Sequence, residues 1–154
     1  MTTKYQQMAT NQLDHSLDQL RALSNVERPA KGWVRAIRNA LGMTAEQLGR
    51  RMGLSQSRVS ELEKSEAQGR SSMQTLTRAA DALECELVYA LLPRSSLSSM
   101  LRQRAKQIAE QQVNRVAHSM ALENQKPSKK SLQRQVDQLV EKLLSESRSK
   151  LWHE

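Results

Sequence analysis

Apolar residues recur at intervals of three and four along most of this 154-residue chain, the spacing that places them on one face of a helix. The stretches between these segments are polar and hold the prolines that end helices. The pattern predicts helices over 4–24, from Trp33 to Gly42, from Ser96 to about Asn124 and from about Ser131 onward.

Helix-start signals divide the middle of the chain further. Thr44 precedes Gln47 by three residues, which predicts a capping box in which each side chain bonds the other residue's backbone N–H. Ser55 marks a second start and Ser71 a third. We therefore predict short helices over 44–52 and 55–65, joined by Gly53, Leu54 and Ser55.

The segment "ELVYALLP", residues 86–93, departs from helical spacing. It combines β-branched, aromatic and leucine residues and closes on Pro93, which is typical of a short strand. A strand is not stable alone, so this one either pairs with its copy in a homodimer or forms the edge of a hairpin within the chain. Because the sequence shows no second strand, we expect a dimerising strand.

The chain is strongly basic, with 24 Lys and Arg against 16 Asp and Glu and a formal net charge of +8. This balance suits an anionic partner, most often nucleic acid, although it also fits a merely soluble basic surface. Mean hydropathy is −0.69, and aromatic residues make up only 3%. We therefore expect a modest core and elongated helices that bury part of their surface against partners.

The chain lacks the residues that several functional classes require. The longest apolar run, 87–92, is too short to cross a bilayer, and the N-terminus has no apolar signal region, so we expect a cytoplasmic location. The single cysteine, Cys85, excludes an internal disulfide framework. The three histidines are far apart, and no nucleophile elbow or nucleotide-binding glycine loop is present. We expect no metal, no cofactor, no catalytic residue and no enzymatic activity.

The two short helices at 44–52 and 55–65 have the spacing of a helix-turn-helix. Gly49 falls where the two helix backbones are expected to come closest, and Gly53 permits the positive φ of the turn. Val59 and Leu62 are predicted to face the core, which leaves the other face of the second helix for a partner.

The stretch "MTAEQLGRRMGLSQSRVSELEK" resembles the helix-turn-helix of the Xre, or lambda-repressor-like, family. The resemblance covers about residues 33–92 and implies that a dimer places the second helix of each chain in the major groove of two-fold symmetric operator DNA. Gln and Arg suit bidentate contacts with adenine and guanine, and Thr44 is expected to bind phosphate through its backbone N–H and hydroxyl. The predicted DNA-binding residues are Thr44, Gln56, Ser57, Arg58, Ser60, Glu61, Lys64, Arg35 and Arg38.

Acidic residues are rare around this motif. Between Arg28 and Arg58 the only acid is Glu46, so the segment is expected to provide the electrostatic contact with DNA. Glu61 departs from the family's pattern, because an acid that faces DNA must either accept from a cytosine amino group or point aside.

A wider part of the chain, most of residues 13–125, resembles a small group of bacterial proteins called mobile mystery protein A. The resemblance rests on "RPAKGWVRAIRNALGMTAEQLGRRMG", "LEKSEAQG", "AADALECELVYALLP" and "LRQRAKQIAEQQVNRVAHSMALENQ". It implies a partner, because members of this group are usually encoded beside a protein with a Fic domain. Fic domains typically transfer AMP from ATP to a protein hydroxyl, and unchecked ones are toxic.

The end of the long helix carries a sequence pattern that is known from the inhibition of Fic enzymes. Fic enzymes are held inactive by a helix that carries Ser or Thr, three residues, Glu, and then Gly or Asn, and Ser119, Glu123 and Asn124 match that pattern. By this resemblance Glu123 pairs with the toxin arginine that otherwise holds the ATP γ-phosphate, Ser119 fixes the helix, and Asn124 lets the chain turn away. The residues alone also allow an ordinary solvated helix end, although Glu123 opposes the helix dipole, and such unfavourable placements are often functional.

We therefore predict a mainly α fold, with a lambda-repressor-like helix-turn-helix domain, a short dimerising strand and a C-terminal helical extension. The predicted function is the antitoxin of a Fic-type toxin–antitoxin pair, which inhibits AMP transfer (AMPylation) and represses its own operon. The alternative is a plain dimeric Xre-type repressor of a mobile element, without inhibition of a toxin. The predicted domains are an N-terminal helix (1–30), the DNA-binding domain (31–93) and a toxin-binding region (94–154).

Overall fold

The protein, analysed as a computed structural model, is described over residues 2–125 and 127–153 and is mainly helical in these ranges. Short 3-10 helices follow the first and the last long helix, at Arg21–Asn25 and Arg148–Trp152. The α-helices are α1 (Thr2–Leu20), α2 (Trp33–Ala40), α3 (Ala45–Met52), α4 (Gln56–Ala67), α5 (Met73–Ala82), α6 (Leu97–Leu122) and α7 (Lys129–Ser145).

The chain folds into two compact units. The central unit is Ala22–Leu91, and the terminal unit combines Met1–Arg21 with Leu92–Glu154. The predicted N-terminal segment, 1–30, is therefore divided between the two units, and α1 packs with the helices of the far end of the chain.

The hydrophobic core of the central unit is formed by side chains from α2, α3, α4 and α5. Leu48 of α3 and Val59 of α4 are fully buried, and Val34, Leu62 and Leu83 surround them. These side chains recur at helical spacing in the sequence, and burying each large one contributes about 1.5–3 kcal/mol. This packing fixes α3 against α4.

The terminal unit is built on α6 and α7. Arg102, near the start of α6, bonds Glu141, near the end of α7, at 2.8 Å, so the two helices are antiparallel. Ala105 and Ala109 of α6 are fully buried, and their small side chains let α7 approach closely. The 3-10 helix at the C-terminus adds Leu151, which is also fully buried in this core.

Asp14 connects α1 to the first turn of α6. Its carboxylate accepts from the backbone N–H of Leu97 at 2.6 Å, from that of Ser98 at 3.1 Å and from the Ser98 hydroxyl at 2.9 Å. Burial raises the pKa of Asp14, but these hydrogen bonds and the charge of Arg21 outweigh it, so the pKa is lowered overall.

Two predictions of local structure need correction. No strand occurs within the described ranges: residues 85–93 have no regular secondary structure, because one chain offers this segment no second strand to pair with. Helix α5 is capped by Ser72 and not by Ser71, since the Ser72 hydroxyl is the one that accepts from the N–H of Thr75, at 3.1 Å.

Candidate functional site

The α3–α4 pair has the geometry that the sequence predicted. A Cβ added at Gly49 would lie 2.5 Å from the backbone oxygen of Leu54, so the close approach needs glycine. Gly53 ends α3 with φ +68°, a conformation that glycine adopts without strain. The Ser55 hydroxyl then accepts from the N–H of Arg58 at 3.3 Å and caps α4.

Helix α4 presents a polar face to solvent. Gln56 and Ser57 lie in its first turn and are exposed, as a helix that reads DNA with its N-terminal residues requires. Ser60 is half-buried and thus less accessible than predicted. The exposed predicted residues of this helix are Gln56, Ser57, Arg58, Glu61 and Lys64.

Glu61 points toward Arg58. The two side chains form an exposed ion pair of 3.6 Å, one helical turn apart, with exposed fractions of 73% and 72%. Exposed pairs of this kind contribute at most about 1 kcal/mol. Arg58 can therefore exchange Glu61 for another hydrogen-bonding partner at little cost.

Thr44 forms the predicted capping box at the start of α3. Its hydroxyl oxygen accepts from the N–H of Gln47 at 3.1 Å, and its own N–H donates to Gln47 Oε1 at 2.8 Å. The hydroxyl proton of Thr44 remains available for a phosphate. Its backbone N–H, which was also predicted to bind phosphate, is already engaged.

The two predicted DNA-binding residues of α2 lie in different surroundings. Arg35 is half-buried, and its Nε atom is buried without a hydrogen-bond partner in the described structure. Arg38 is buried, donates to both oxygens of Glu63 at 2.6 and 3.1 Å, and donates to the Met43 carbonyl at 2.8 Å. The prediction of Arg38 as a DNA contact does not fit this placement, because its charge is neutralised inside the core.

Glu66 is a structural residue that the sequence predictions missed. It is 5% exposed, and its carboxylate accepts from the N–H groups of Trp33 at 2.8 Å and Val34 at 3.0 Å, at the start of α2. Arg28 donates to its backbone carbonyl. The available signal was spacing: Val59, Leu62, Glu63 and Glu66 follow the i, i+3, i+4, i+7 pattern of one buried face.

Comparison with known proteins agrees with this geometry. A family model described as helix-turn-helix matches residues 34–89, from the second residue of α2 through α5 to Tyr89. This segment is a helix-turn-helix domain of the Xre-like type. A search of curated proteins and a search of solved structures found no match.

The helix-turn-helix match indicates that residues 34–89 are a DNA-binding segment. Across residues 2–125 and 127–153, no helix is long and apolar enough to cross a membrane. The same ranges hold no group of three or more His, Cys, Asp or Glu that could bind a metal ion.

The predicted inhibitory residues lie at the end of α6. Ser119 is exposed, and its hydroxyl donates to the Arg115 carbonyl at 3.3 Å. Glu123 is the C-cap, and it is exposed and forms no ion pair with any described residue. Asn124 has φ +58°, so it reverses the chain direction as predicted.

Hydrogen bonds fix this helix end. The N–H of Gln125 reaches the Met120 carbonyl at 3.0 Å and that of Asn124 reaches the Ala121 carbonyl at 3.3 Å, the two bonds of a Schellman motif. The backbone that carries Glu123 therefore has a defined conformation. Val116 and Met120, on the same side of α6 as Ser119 and Glu123, are 56% and 37% exposed.

Proposed function

We propose that this protein is the antitoxin of a Fic-type toxin–antitoxin pair. Its terminal unit holds the toxin inactive by presenting Glu123 to the toxin's ATP site, and its helix-turn-helix domain represses transcription of its own operon. The proposal combines the DNA-binding domain with the Fic-type pattern at the end of α6.

The state of Glu123 is the observation that carries the inhibitory role. Its carboxylate opposes the helix dipole without any compensating ion pair among the described residues, yet hydrogen bonds hold the backbone around it. A solvent-facing carboxylate on an ordered backbone is available to a partner with little further ordering of the main chain. The serine one turn earlier and the positive φ of Asn124 complete the pattern.

The proposed inhibition follows from the chemistry of carboxylates. A carboxylate can accept two parallel hydrogen bonds from an arginine, as the γ-phosphate of ATP does. If Glu123 occupies that arginine, the nucleotide cannot be held in the orientation that AMP transfer to a protein hydroxyl requires. The protein itself supplies no catalytic group in this scheme and needs no cofactor.

DNA recognition is proposed to begin at the first turn of α4. Gln56, Ser57 and Arg58 are exposed there, and Thr44 offers a hydroxyl to phosphate at the start of α3. Glutamine and arginine read adenine and guanine through paired hydrogen bonds. These four residues form the proposed operator-reading surface.

A homodimer is proposed to form through residues 86–92, which follow α5. Val88, Tyr89 and Leu91 are 65%, 75% and 86% exposed, which is unfavourable for apolar side chains in a single chain. Leu87 and Val88 help to line a cavity of about 470 Å³ beside Trp33. Pairing with the same segment of a second copy covers these side chains and supplies the partner strand that a single chain does not offer.

The two activities can be separated by substitution. Glu123→Gly is expected to release AMP transfer by the toxin while operator binding is unchanged. Gln56→Ala with Arg58→Ala is expected to abolish operator binding while inhibition is retained. Unaltered inhibition by the Glu123 variant contradicts the antitoxin role, and unaltered operator binding by the double variant contradicts the recognition surface.

The neighbouring gene provides the toxin for these assays. The adjacent reading frame is expected to encode the Fic signature His-x-Phe-x-x-Gly-Asn-Gly-Arg. A neighbouring gene without that signature favours the plain repressor.

A further inference from the structure

Most of the positive charge lies outside the DNA-binding domain. The central unit has ten Lys and Arg against eight Asp and Glu, a net charge of +2, whereas the terminal unit has fourteen against eight, a net charge of +6. The recognition domain alone is therefore only weakly cationic. Most of the net positive charge of the chain belongs to the terminal unit, which carries Glu123.

Some basic residues of α6 and of the C-terminal 3-10 helix are paired with acids. Arg102 pairs with Glu141, Lys106 with Glu110 and Lys150 with Glu146. The exposed residues of α6 and α7 that form no ion pair with a described residue include Arg115, Lys129, Lys130 and Arg134.

These four residues, which we call the cationic tip, lie at one end of the α6–α7 hairpin. Arg115 belongs to the C-terminal part of α6, and the other three lie in the first part of α7. Because the helices are antiparallel, the end of α6 and the start of α7 meet at the same end of the hairpin. Lys130 and Arg134, four residues apart, share one face of α7.

Two of these charges oppose local stability. Lys129 and Lys130 occupy the first turn of α7, which holds no acidic residue, although the positive end of the helix dipole disfavours cations there. The cost is about 0.3–1 kcal/mol for each exposed charge. Unfavourable charges that no other contact compensates are expected where they serve binding.

We propose that the cationic tip is a second nucleic-acid contact, which binds DNA phosphates beyond those reached by the helix-turn-helix. This inference rests on the DNA-binding part of the proposed function and is independent of the toxin. Several exposed, unpaired cations within a few turns match the repeated, equal charges of a phosphate backbone. In the central unit, Arg50, Arg51 and Arg58 each lie within 4.0 Å of an acid. The exposed cations of that unit without an ion pair to a described residue are Lys31, Lys64, Arg70 and Arg78.

The tip contributes affinity without reading sequence. Lysine and arginine contacts to phosphate carry no base information, whereas each one releases condensed counterions from the DNA. The dependence of affinity on salt concentration therefore reports the tip, and the preference for operator over other DNA reports α4. The two contributions can be measured in the same titration.

The test compares two full-length variants that lose the same charge. The tip variant carries Lys129→Gln, Lys130→Gln and Arg134→Gln, and the control carries Arg102→Gln, Lys106→Gln and Lys150→Gln, whose side chains are already paired with acids. Binding is measured from low to moderate salt on the DNA upstream of the protein's own reading frame and on a scrambled duplex of equal length. Circular dichroism checks that both variants keep the helical content of the wild type.

We expect the slope of log Kobs against log salt concentration to become less negative by about 2 to 3 per chain in the tip variant. Each lost phosphate contact changes this slope by about 0.9, and the variant removes three cations. The operator-to-scrambled affinity ratio and the slope of the control stay at the wild-type values. An unchanged slope in the tip variant, or an equal change in both variants, overturns the proposal. A tip variant that binds DNA normally but binds the toxin more weakly overturns it in favour of a protein-binding surface. If the wild type itself does not prefer its upstream DNA, the operator-reading function fails separately.

Discussion

The guanidinium of Arg38 binds the carboxylate of Glu63 through two nitrogen atoms, at 2.6 Å from Nε and 3.1 Å from Nη2. The pair connects α2 to α4, and its third bond reaches the carbonyl of Met43, just before α3. The hydrogen bonds that Arg38 donates to Glu63 raise the pKa of Arg38, while burial opposes that shift. The helix that presents Gln56 and Arg58 is thus held in place by a buried charge pair.

Breaking this pair is expected to destabilise the central unit. Arg38→Met leaves the Glu63 carboxylate buried without its partner, and removing one member of a buried pair costs about 3–5 kcal/mol. Urea unfolding followed by Trp33 fluorescence in a Trp152→Phe background measures this cost, because the two tryptophans of the chain lie in different units.

Two variants serve as controls for the Arg38 measurement. Arg50→Met removes an exposed pair with Glu46 and is expected to cost at most about 1 kcal/mol. Arg38→Met with Glu63→Leu removes both charges and is expected to recover most of the loss. Equal stability of the Arg38 and Arg50 single variants contradicts a structural role for the buried pair.

Gly32 is expected to tolerate no side chain. Its φ of +83° and ψ of 165° belong to a region that glycine alone adopts readily, and an added Cβ would lie 2.4 Å from Glu66 Oε2. Gly32→Ala therefore strains the backbone and displaces the carboxylate that caps α2, at a cost of about 2–4 kcal/mol.

Gly42 provides the matched control for Gly32. It also has a positive φ, +66°, but nothing lies within 4 Å of an added Cβ. Gly42→Ala is expected to cost only the backbone strain of about 1–2 kcal/mol in the same Trp33 assay. If Gly42→Ala is as destabilising as Gly32→Ala, then a clash with the Glu66 carboxylate adds nothing to the cost of the Gly32 substitution.

The sequence predicts the local features of the DNA-binding domain well and its distant contacts poorly. The capping box of Thr44, the close approach at Gly49 and the turn at Gly53 depend on residues a few positions apart, and each is confirmed. The contacts of Glu63 with Arg38 and of Glu66 with Trp33 join residues 25 and 33 positions apart. The run of basic residues around Arg38 led to its prediction as a DNA contact, because a sequence does not show which charges meet inside a core.

The terminal unit shows the same limit. Helical spacing predicts α6 and α7, but it does not show that α1 packs on them through Asp14, whose partners lie more than eighty positions away. The segment 86–92 has the composition of a strand, yet strand formation depends on a partner that the sequence does not supply. The end of α6 is predicted more closely, since Asn124 adopts the expected positive φ.

The attachment of α1 to α6 is expected to weaken in acid. The pKa of Asp14 is lowered in the folded chain, so the stability it contributes is present above the unfolded pKa of about 3.9 and is lost as pH falls through the folded value. In a Trp33→Phe background, Trp152 fluorescence should show that Asp14→Asn destabilises the terminal unit at neutral pH. The difference in the free energy of unfolding between Asp14→Asn and the parent should shrink as pH falls below about 4.

Asp18 is the control for this pH dependence. It lies on the same helix and forms an exposed pair with Arg21. Asp18→Asn is expected to leave the acid-induced loss of stability in place. A difference between Asp14→Asn and the parent that stays constant down to about pH 2 contradicts the capping role of Asp14.

The rate of AMP transfer by the reconstituted toxin complex tests the central claim most directly. Glu123→Gln keeps the shape of the side chain and removes the charge, and Glu110→Gln makes the same change elsewhere on α6. We expect the Glu123 variant to raise the rate about tenfold or more over the wild-type complex, because hydrogen bonds to charged groups contribute about 1.5–3 kcal/mol, and the Glu110 variant to leave the rate unchanged. Equal rates for the wild-type and Glu123→Gln complexes would contradict the account.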